Sequence, residues 1–332
     1  MKARTSLLLA SLAVAGLAYW LRPRRESLRG KVAVITGGSR GLGLAMAEEL
    51  ARQGARLEII ARDAEELQRA ATHLRAFGAS VNTRPCDVTD DEQVRHVLRD
   101  IATARGSIDL LINNAGVILV APLENMEAAD FEEALRLHFW APYHTTHAAL
   151  PYLKESKGRV VNIASIGGRL AVPHLAPYSV SKFALVGLSD ALRAELRKDG
   201  VSVTTASPGL MRTGSHIHAK FKGDHDKEFT WFSLGATLPF ISIDAHRAAR
   251  QIIAATQRRQ PELTITLQAR LAVIGQAIFP NLFARIMDLV TRLLPGDRPG
   301  APTLEGRECR SLVPSFLTTL GDQAGRELNE KH

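Results

Sequence analysis

A glycine-rich turn between an apolar run and an amphipathic run places the strongest constraint on the fold. The stretch TGGSRGLG, residues 36–43, follows the apolar residues 32–35 and precedes residues 44–50. This order predicts a strand, a tight turn and a helix, in which backbone N–H groups at the helix start can face a phosphate. An ordinary βα turn is the alternative, but the two flanking elements favour binding of a dinucleotide.

Short apolar runs alternate with helical periods between residues 30 and 268. Strands are predicted at 31–36, 56–61, 80–86, 108–113, 158–164, 201–206 and 262–266. Helices are predicted at 41–53, 63–77, 90–104, 127–153, 175–198 and 243–258. Such alternation makes parallel sheets that helices cover on both faces. We therefore predict one α/β domain over residues 30–268, a doubly wound Rossmann-type parallel sheet of about seven strands.

The basic charge of the chain is concentrated near its N-terminus. The net charge is +8, and residues 1–31 hold seven basic residues and one acidic residue. No basic stripe interleaved with aromatic residues follows, which argues against nucleic acid as a partner. The cysteines, Cys86 and Cys309, have neither metal-ligand spacing nor a disulfide pattern, as is typical of a reducing compartment.

An uncharged apolar run over residues 6–21 predicts an N-terminal membrane anchor within residues 1–29. The run is shorter than the roughly 20 residues of a membrane span, so a cleaved signal peptide is the alternative. More positive charge follows the run than precedes it, which predicts that the rest of the chain is cytoplasmic. A cytoplasmic protein without membrane association is the alternative localisation.

The end of the second predicted strand indicates which dinucleotide the chain binds. An acidic residue here would hold the ribose hydroxyls of NAD, but the chain has Ala61 followed by Arg62. Arg40 lies in the glycine turn, and two guanidinium groups near this ribose favour the 2′-phosphate of NADP. Asp63 meets a ribose hydroxyl or caps the next helix, and Arg62 is alternatively a solvated surface residue. We predict NADP as the cofactor in preference to NAD.

Polar and small residues follow the third and fourth predicted strands. Asp87 accepts from the adenine amino group or, alternatively, belongs to a helix cap. The sequence NNAG, residues 113–116, ends the fourth strand, where open α/β sheets bind their ligands. Asn113 alternatively satisfies backbone groups between neighbouring strands.

Three residues near the fifth predicted strand and the helix after it carry the chemistry. Ser165 ends the strand, and Tyr178 and Lys182 are four residues apart on the helix, so they share one face. A nearby ammonium group lowers the pKa of a phenol and favours proton exchange near neutral pH. Ser165 can hydrogen-bond a carbonyl or hydroxyl oxygen held against the tyrosine.

With these motifs, the chain resembles the short-chain dehydrogenase/reductase superfamily from residue 30 to about residue 268. TGGSRGLG matches TGxxxGxG, NNAG is intact, Ser…Tyr-x-x-x-Lys has the usual spacing, and PGLMRT at residues 208–213 matches PGxxxT. The resemblance implies that Tyr178 is the general acid/base and that Ser165 orients the substrate oxygen. It also implies that Lys182 holds the nicotinamide ribose, and that hydride passes between nicotinamide and the substrate.

The resemblance also defines the expected cofactor site and a frequent assembly as a homodimer or homotetramer. The expected cofactor-binding residues are Thr36, Gly37, Ser39, Arg40, Gly41, Leu42, Gly43, Arg62, Asp87, Val88, Asn114, Ala115, Gly116, Tyr178, Lys182, Pro208, Gly209 and Thr213.

One position departs from the family pattern. The family has an asparagine at a helix kink that anchors a relay water, and the matching residue here is His138. Pro142 lacks an N–H and cannot bond the carbonyl four residues back, which is that of His138. We hypothesise that Pro142 kinks the helix and frees this carbonyl for the water, so that His138 joins the catalytic residues. A histidine packed in the core is the alternative.

Residues 210–240 run without a strong period and, in this fold, cover the active site. They hold the aromatic residues Phe221, Phe229, Trp231, Phe232 and Phe240. Such a lid indicates an apolar alcohol or carbonyl substrate. The histidines of this segment imitate a metal site, but the reaction needs no metal and we predict none. The alternative functions are a 3-oxoacyl-thioester reductase and a non-catalytic NADP-binding sensor or scaffold.

The C-terminal part extends beyond the family pattern. Residues 269–295 form an extension with an amphipathic helix over 281–294, whose apolar stripe docks on the core, on a second subunit or on a membrane interface. Residues 296–332 are polar with scattered Gly and Pro, and we expect them to be poorly ordered.

Overall fold

A parallel sheet forms the centre of the molecule in the computed structural model, which describes residues 25–238, 241–313 and 318–330. The strands are β1 (Val32–Thr36), β2 (Arg56–Ala61), β3 (Ser80–Pro85), β4 (Leu110–Asn113), β5 (Leu119–Val120), β6 (Arg159–Ile163), β7 (Ser202–Ser207), β8 (Met211–Arg212), β9 (Lys220–Phe221), β10 (Ile243–Asp244), β11 (Glu262–Thr264) and β12 (Leu304–Glu305). Seven of them form one sheet in the order β11-β7-β6-β4-β1-β2-β3, with every pair parallel. The predicted fold class and strand positions are confirmed.

Helices cover both faces of this sheet. The helices are α1 (Gly41–Arg52), α2 (Ala64–Ala76), α3 (Asp91–Arg105), α4 (Ala128–Leu135), α5 (Ala141–Ser156), α6 (Ala176–Leu196), α7 (His225–Thr237), α8 (Ala245–Gln257), α9 (Leu267–Ile278), α10 (Pro280–Thr291) and α11 (Thr319–Glu327). Alternate residues of β1 serve the two faces: Ala33 and Ile35 pack with α1, α2 and α8, whereas Val32 and Val34 pack with α3 and α5. Burial on both faces explains why these strands are continuously apolar.

The reversal of strand order beside β1 creates the crevice that holds the site. The chain runs from β1 to β2 on one side, whereas β4 pairs on the other side. Loops at the carboxyl ends of these strands diverge there, and open α/β sheets bind ligands in such a crevice. The glycine turn, residues 113–116 and Ser165 all lie at this end of the sheet.

Two elements differ from their predicted forms. The helix predicted over 127–153 is divided into α4 and α5 by a π-helical turn, Arg136–Trp140, in which the Ala141 N–H donates to the Arg136 carbonyl. The lid segment, predicted without a regular period, contains α7, whose buried face includes Phe229 and Phe232. Phe240 and the apolar run 6–21 lie outside the described residues. Among the helices that the structure describes, none is long and apolar enough to cross a membrane.

The C-terminal extension has an exposed part and a packed part. The amphipathic helix predicted over 281–294 is α10, which buries none of its residues and leaves Leu282 and Leu289 exposed. The segment expected to be poorly ordered instead contains β12, paired antiparallel with β9, and α11. After α11, Leu328 is 1% exposed and belongs to the main core. This segment is structured although it is polar, because close packing at glycines and backbone hydrogen bonds hold it against the domain.

Candidate active site

The glycine turn is held against the end of β4 by hydrogen bonds. The Asn114 backbone N–H donates to the Thr36 hydroxyl at 3.0 Å, and the Ala115 N–H donates to the same oxygen at 3.2 Å. The Asn114 side-chain amide donates to the Gly37 carbonyl at 3.0 Å. A Cβ on Gly43 would lie 1.9 Å from the Gly37 oxygen, so only glycine permits the first turn of α1 to approach so closely.

The residues predicted to recognise the adenosine ribose have separate surroundings. Arg40 pairs with Glu66 at 2.8 Å, and the Ser39 hydroxyl donates to the same carboxylate at 3.1 Å. Arg62 is exposed just after β2. Asp63 accepts from two backbone N–H groups at the start of α2, as the capping alternative requires. Recognition of a 2′-phosphate by Arg40 and Arg62 stays a prediction.

Some of the residues after β3 and β4 stabilise a turn, and others lie beside the crevice. Asp87 accepts from both the backbone N–H and the hydroxyl of Thr89, and the neighbouring Val88 is buried. Asn113 is buried, and its amide donates to the Asn162 side chain on β6 at 2.8 Å. Asn113 therefore joins β4 to β6 through side chains, whereas the alternative expected bonds to backbone groups, and Asn114 is the residue that contacts the turn.

Ser165, Tyr178 and Lys182 come together beyond the end of β6. The Ser165 hydroxyl accepts from the Gly167 N–H at 3.0 Å, and a Cβ on Gly167 would lie 3.5 Å from this hydroxyl and 3.2 Å from the Tyr178 ring, so the two side chains are neighbours. The Lys182 Nζ lies 5.7 Å from the centre of the tyrosine ring and donates to the Ile163 carbonyl at 2.9 Å. The helical spacing of α6 thus places phenol and ammonium on one face beside the strand end, as predicted.

Burial is the largest influence on the pKa values of Tyr178 and Lys182. It raises the pKa of the Tyr178 phenol, which the hydrogen bond with Ser165 partly counteracts. Burial lowers the pKa of the Lys182 ammonium to about 7. In the chain without cofactor, burial and not the lysine charge therefore sets the direction in which the tyrosine pKa moves.

His138 is buried in the π-helical turn and connects the crevice to α6. Its Nε2 accepts from the Val117 N–H at 3.2 Å, so the proton resides on Nδ1, which donates to the Ser181 hydroxyl at 2.8 Å. Ser181 in turn donates to the Tyr178 carbonyl at 2.8 Å. Burial and the Lys182 charge hold the pKa of His138 well below its usual range, so the ring is neutral. A Cβ on Gly116 would lie 3.0 Å from its Nε2.

The segment after β7 faces the glycine turn. The Pro208 carbonyl, next to Gly209, accepts from the Ile166 N–H at 2.8 Å, which ties this segment to the Ser165 loop. Thr213 is 4% exposed, and its Cβ lies 3.8 Å from the position of a Cβ on Gly41. The two stretches expected to contact opposite ends of a dinucleotide therefore lie on either side of one narrow space.

The lid is anchored by a buried carboxylate that sequence reasoning missed. Glu228 on α7 is 0% exposed and bonds the His174 Nδ1 at 2.8 Å and the Trp231 Nε1 at 2.6 Å. Phe229 and Phe232 pack in a cluster that Tyr178 borders. A small cleft beside Tyr178 is lined by apolar and charged residues: Val117, Leu119, Ala134, Pro177, Asp130, Glu133 and Lys220. Within the described residues, no group of three or more metal-ligating side chains is placed to hold a metal ion.

The residues present fit a nicotinamide dinucleotide. Gly41 has φ of +55° and no side chain, so the backbone at the start of α1 has the form that a phosphate-binding turn needs. Arg40 offers a positive charge beside it, and the buried Lys182 offers an ammonium group at the far end of the crevice. Sequence reasoning missed one further residue of this site: the Glu330 carboxylate lies against Gly41. No sequence signal connects Glu330 with the turn, because the two are far apart along the chain.

Comparisons with known proteins agree with this geometry. The chain matches the short chain dehydrogenase family over residues 31–221. It is 32% identical over 263 residues to 11-beta-hydroxysteroid dehydrogenase 1A of Arabidopsis thaliana, with 77% of this chain and 74% of that protein covered. A metagenomic short-chain oxidoreductase in complex with NADP is 30% identical, with a TM-score of 0.59 over 73% of this chain and 100% of that one. NAD+-bound xylitol dehydrogenase is 25% identical, with a TM-score of 0.63 over 72% of this chain and 99% of that one.

Proposed function

The chain belongs to the short-chain dehydrogenase family and is an NAD(P)-dependent oxidoreductase, and we propose that it interconverts an apolar alcohol and its ketone or aldehyde with NADP(H). The observation that carries this proposal is the position of the partly buried Tyr178 between Ser165, whose hydroxyl borders Gly167 beside the tyrosine ring, and Lys182, whose Nζ lies 5.7 Å from the ring centre. A phenol beside a hydroxyl and an ammonium group suits proton exchange with a substrate oxygen.

Each residue of the set has a separate task in this mechanism. In the reductive direction the Tyr178 hydroxyl gives its proton to the substrate oxygen, and in the oxidative direction the phenolate accepts a proton from the alcohol. The Ser165 hydroxyl holds that oxygen against the tyrosine, and Lys182 holds the cofactor ribose and stabilises the phenolate. The bound nicotinamide supplies or accepts the hydride.

The preference for NADP(H) is supported by charge. Arg62 is exposed at the end of β2 and Arg40 lies in the turn, and no acidic side chain ends β2. We expect Arg62→Ala to weaken NADPH binding about tenfold and to leave NADH binding unchanged. Arg95→Ala, which removes an arginine from the exposed face of α3, is the matched control for loss of charge. Equal effects of Arg62→Ala on both cofactors would remove the support for this preference.

The apolar substrate is supported by the lid and by a relative. Four apolar and three charged residues line the cleft beside Tyr178, and the aromatic cluster of α7 packs against Tyr178. One relative carries the name of a hydroxysteroid dehydrogenase, so cyclic apolar ketones belong in the first substrate panel, together with long-chain aldehydes and 3-oxoacyl thioesters.

The test is cofactor oxidation by the full-length chain, purified in a non-ionic detergent, with NADPH and with NADH. We expect NADPH-dependent reduction of at least one apolar carbonyl, and we expect Tyr178→Phe to lower kcat by a factor of about 10² or more. NADPH binding, measured by calorimetry, should survive this substitution. Tight binding without turnover on every substrate would favour the sensor function instead.

The membrane association is a separate part of the proposal. We place residues 6–21 in the membrane, with the catalytic domain on the cytoplasmic side, because the basic residues cluster after the apolar run. Resistance of the full-length chain to carbonate extraction from membranes would support this placement, and complete release would contradict it.

A further inference from the structure

The last helix of the chain packs unusually closely against the active-site segments. A Cβ on Gly321 of α11 would lie 2.2 Å from the Thr237 methyl group, at the end of α7. A Cβ on Gly214, just after Thr213, would lie 2.3 Å from the Gly325 Cα. Glycines four residues apart on α11 therefore allow its backbone to touch the lid helix and the segment that borders the crevice.

The residues after α11 lie directly on the glycine turn. The Leu328 carbonyl accepts from the Gly41 N–H at 2.9 Å. The Asn329 side-chain amide donates to the Ser39 carbonyl at 2.9 Å and to the Glu66 carbonyl at 3.2 Å. These bonds fix the chain end to both sides of the turn.

Glu330 completes this contact with a buried carboxylate. Its Oε1 lies 2.6 Å from the position of a Cβ on Gly41, and its Oε2 lies 3.4 Å from the Arg40 Nε. The side chain is only 5% exposed. Thr213 borders the same face of Gly41 as Glu330 does, so Glu330 occupies the narrow space between the turn and the segment after β7.

The same groups are the ones that a dinucleotide would use. A pyrophosphate binds to free N–H groups at a helix start and to a backbone face without a side chain. In this structure the Gly41 N–H is taken by a carbonyl, the face of Gly41 is covered by a carboxylate, and Arg40 is shared between Glu66 and Glu330. A carboxyl group and a pyrophosphate cannot share this space, because their volumes would overlap.

We propose that residues 319–330, here called the C-terminal plug, compete with the dinucleotide for the glycine turn, so that the cofactor binds only when the plug leaves. This inference rests on the proposed function, in which the turn binds a nicotinamide dinucleotide. The plug is an autoinhibitory segment whose carbonyl and carboxylate oxygens take the place of phosphate oxygens. The apparent cofactor affinity is then the intrinsic affinity multiplied by the fraction of chains in which the turn is free.

The first test measures NADPH affinity by calorimetry in the full-length chain and its variants. Gly325→Leu places a side chain where α11 touches Gly214 and so removes the plug from its site. Gly275→Leu is the matched control, because a Cβ there meets nothing within 4 Å. We expect Gly325→Leu, and likewise deletion of residues 319–332, to lower the NADPH Kd about tenfold or more, and the control to leave it unchanged.

A second test follows the plug without reference to activity. Trypsin cleavage after the exposed Arg326 reports whether α11 is docked. We expect saturating NADPH to accelerate this cleavage about tenfold in the full-length chain, because cleavage follows the population of the released segment. In Gly325→Leu, cleavage should already be fast without NADPH.

The outcomes separate the two proposals. Equal Kd values for all chains, with cleavage unaffected by NADPH, would overturn the plug and leave the proposed function standing. Weaker binding after deletion of residues 319–332 would also overturn it, because the segment would then be part of the cofactor site. Failure of every chain to bind NADPH or NADH would overturn the proposed function, and the competition with it.

Discussion

The buried Lys182, to which we assign a role in catalysis, also affects the stability of the fold. Its pKa of about 7 in the folded chain is far below the ordinary lysine value of about 10.4. At a pH between these two pKa values, Lys182 holds a proton in the unfolded chain and lacks it in the folded chain. The folded state therefore gains stability as the pH rises through this range. This stability is lost again as the pH falls through about 7.

The pH dependence of unfolding tests this assignment. Between pH 7 and pH 9, we expect the free energy of unfolding of the wild type to rise by about 1–3 kcal/mol relative to Lys182→Met. Urea unfolding of both chains in the absence of cofactor measures the difference. Parallel curves for the two chains would show that the lysine keeps its proton in the folded state.

His138 stands where the family has an asparagine, and its ring satisfies groups on two elements. The Val117 N–H donates to Nε2, and Nδ1 donates to Ser181. We expect His138→Ala to lower the free energy of unfolding by about 1–3 kcal/mol, because the part-buried Val117 N–H loses its acceptor and the buried ring leaves a cavity. His138→Asn retains a donor and an acceptor and should lose less than half as much. Equal losses for the two variants would mean that the ring contributes volume and not hydrogen bonds.

Local spacing explains why the proximity of the proposed reacting residues could be predicted from the sequence. Tyr178 and Lys182 share a helix face because they are four residues apart, and Ser165 follows a buried strand. The partners of His138 could not be predicted, because Val117 and Ser181 come from different elements whose packing only the fold determines. The same holds for Glu228 and His174 beneath the lid.

At the scale of elements, the π-helical turn lies where the relay hypothesis needs a distortion. The wider turn over Arg136–Trp140 ends just before Pro142, which is buried in the first turn of α5. Such turns occur often at functional sites. Whether the His138 carbonyl holds a relay water stays a hypothesis, and Pro142 is the residue through which it can be tested.

Pro142→Ala restores an N–H that can bond the carbonyl of His138. We expect this variant to lower kcat about tenfold while the NADPH Kd stays within twofold of the wild type, because a proton relay and not cofactor binding is affected. Steady-state kinetics and calorimetry on the same preparation measure both quantities. Full activity would contradict the hypothesis.

Elements also differ in how far periodicity predicts them. The apolar stripe of α10 predicted a helix, and a helix is found, yet its leucines are exposed. The plug has few apolar side chains, and Leu328 is the single one that is fully buried. Its docking depends on glycines and backbone hydrogen bonds, which leave no pattern of side chains to recognise.

At the scale of the whole molecule, the plug makes cofactor affinity depend on pH. Burial raises the pKa of the Glu330 carboxyl to about 8, although Arg40 opposes this shift. The carboxyl also faces Glu66 and His218, and burial and Arg40 lower the pKa of that histidine. Between about pH 4.3, the ordinary pKa of glutamate, and about pH 8, the Glu330 carboxyl keeps its proton in the docked plug and loses it in the released plug. Docking therefore weakens as the pH rises through this range.

The ratio of NADPH Kd values for the full-length chain and for Gly325→Leu isolates this effect. We expect this ratio to fall about tenfold or more between pH 5 and pH 8. When Glu330→Gln is added to both chains, we expect the ratio to stay constant over the same range. Calorimetry at three pH values suffices. A constant ratio in the first pair would show that the carboxyl does not change its protonation on docking.

The ribosome makes β11 before α11, and the number of residues between them sets the delay. The last strand of the main sheet ends at Thr264, and α11 begins at Thr319. At roughly 5–20 residues per second, synthesis of the intervening segment lasts several seconds. During that interval the sheet and the glycine turn can fold outside the ribosome before the plug exists. A newly made chain can therefore meet the cellular nucleotide pool first and its own C-terminus second.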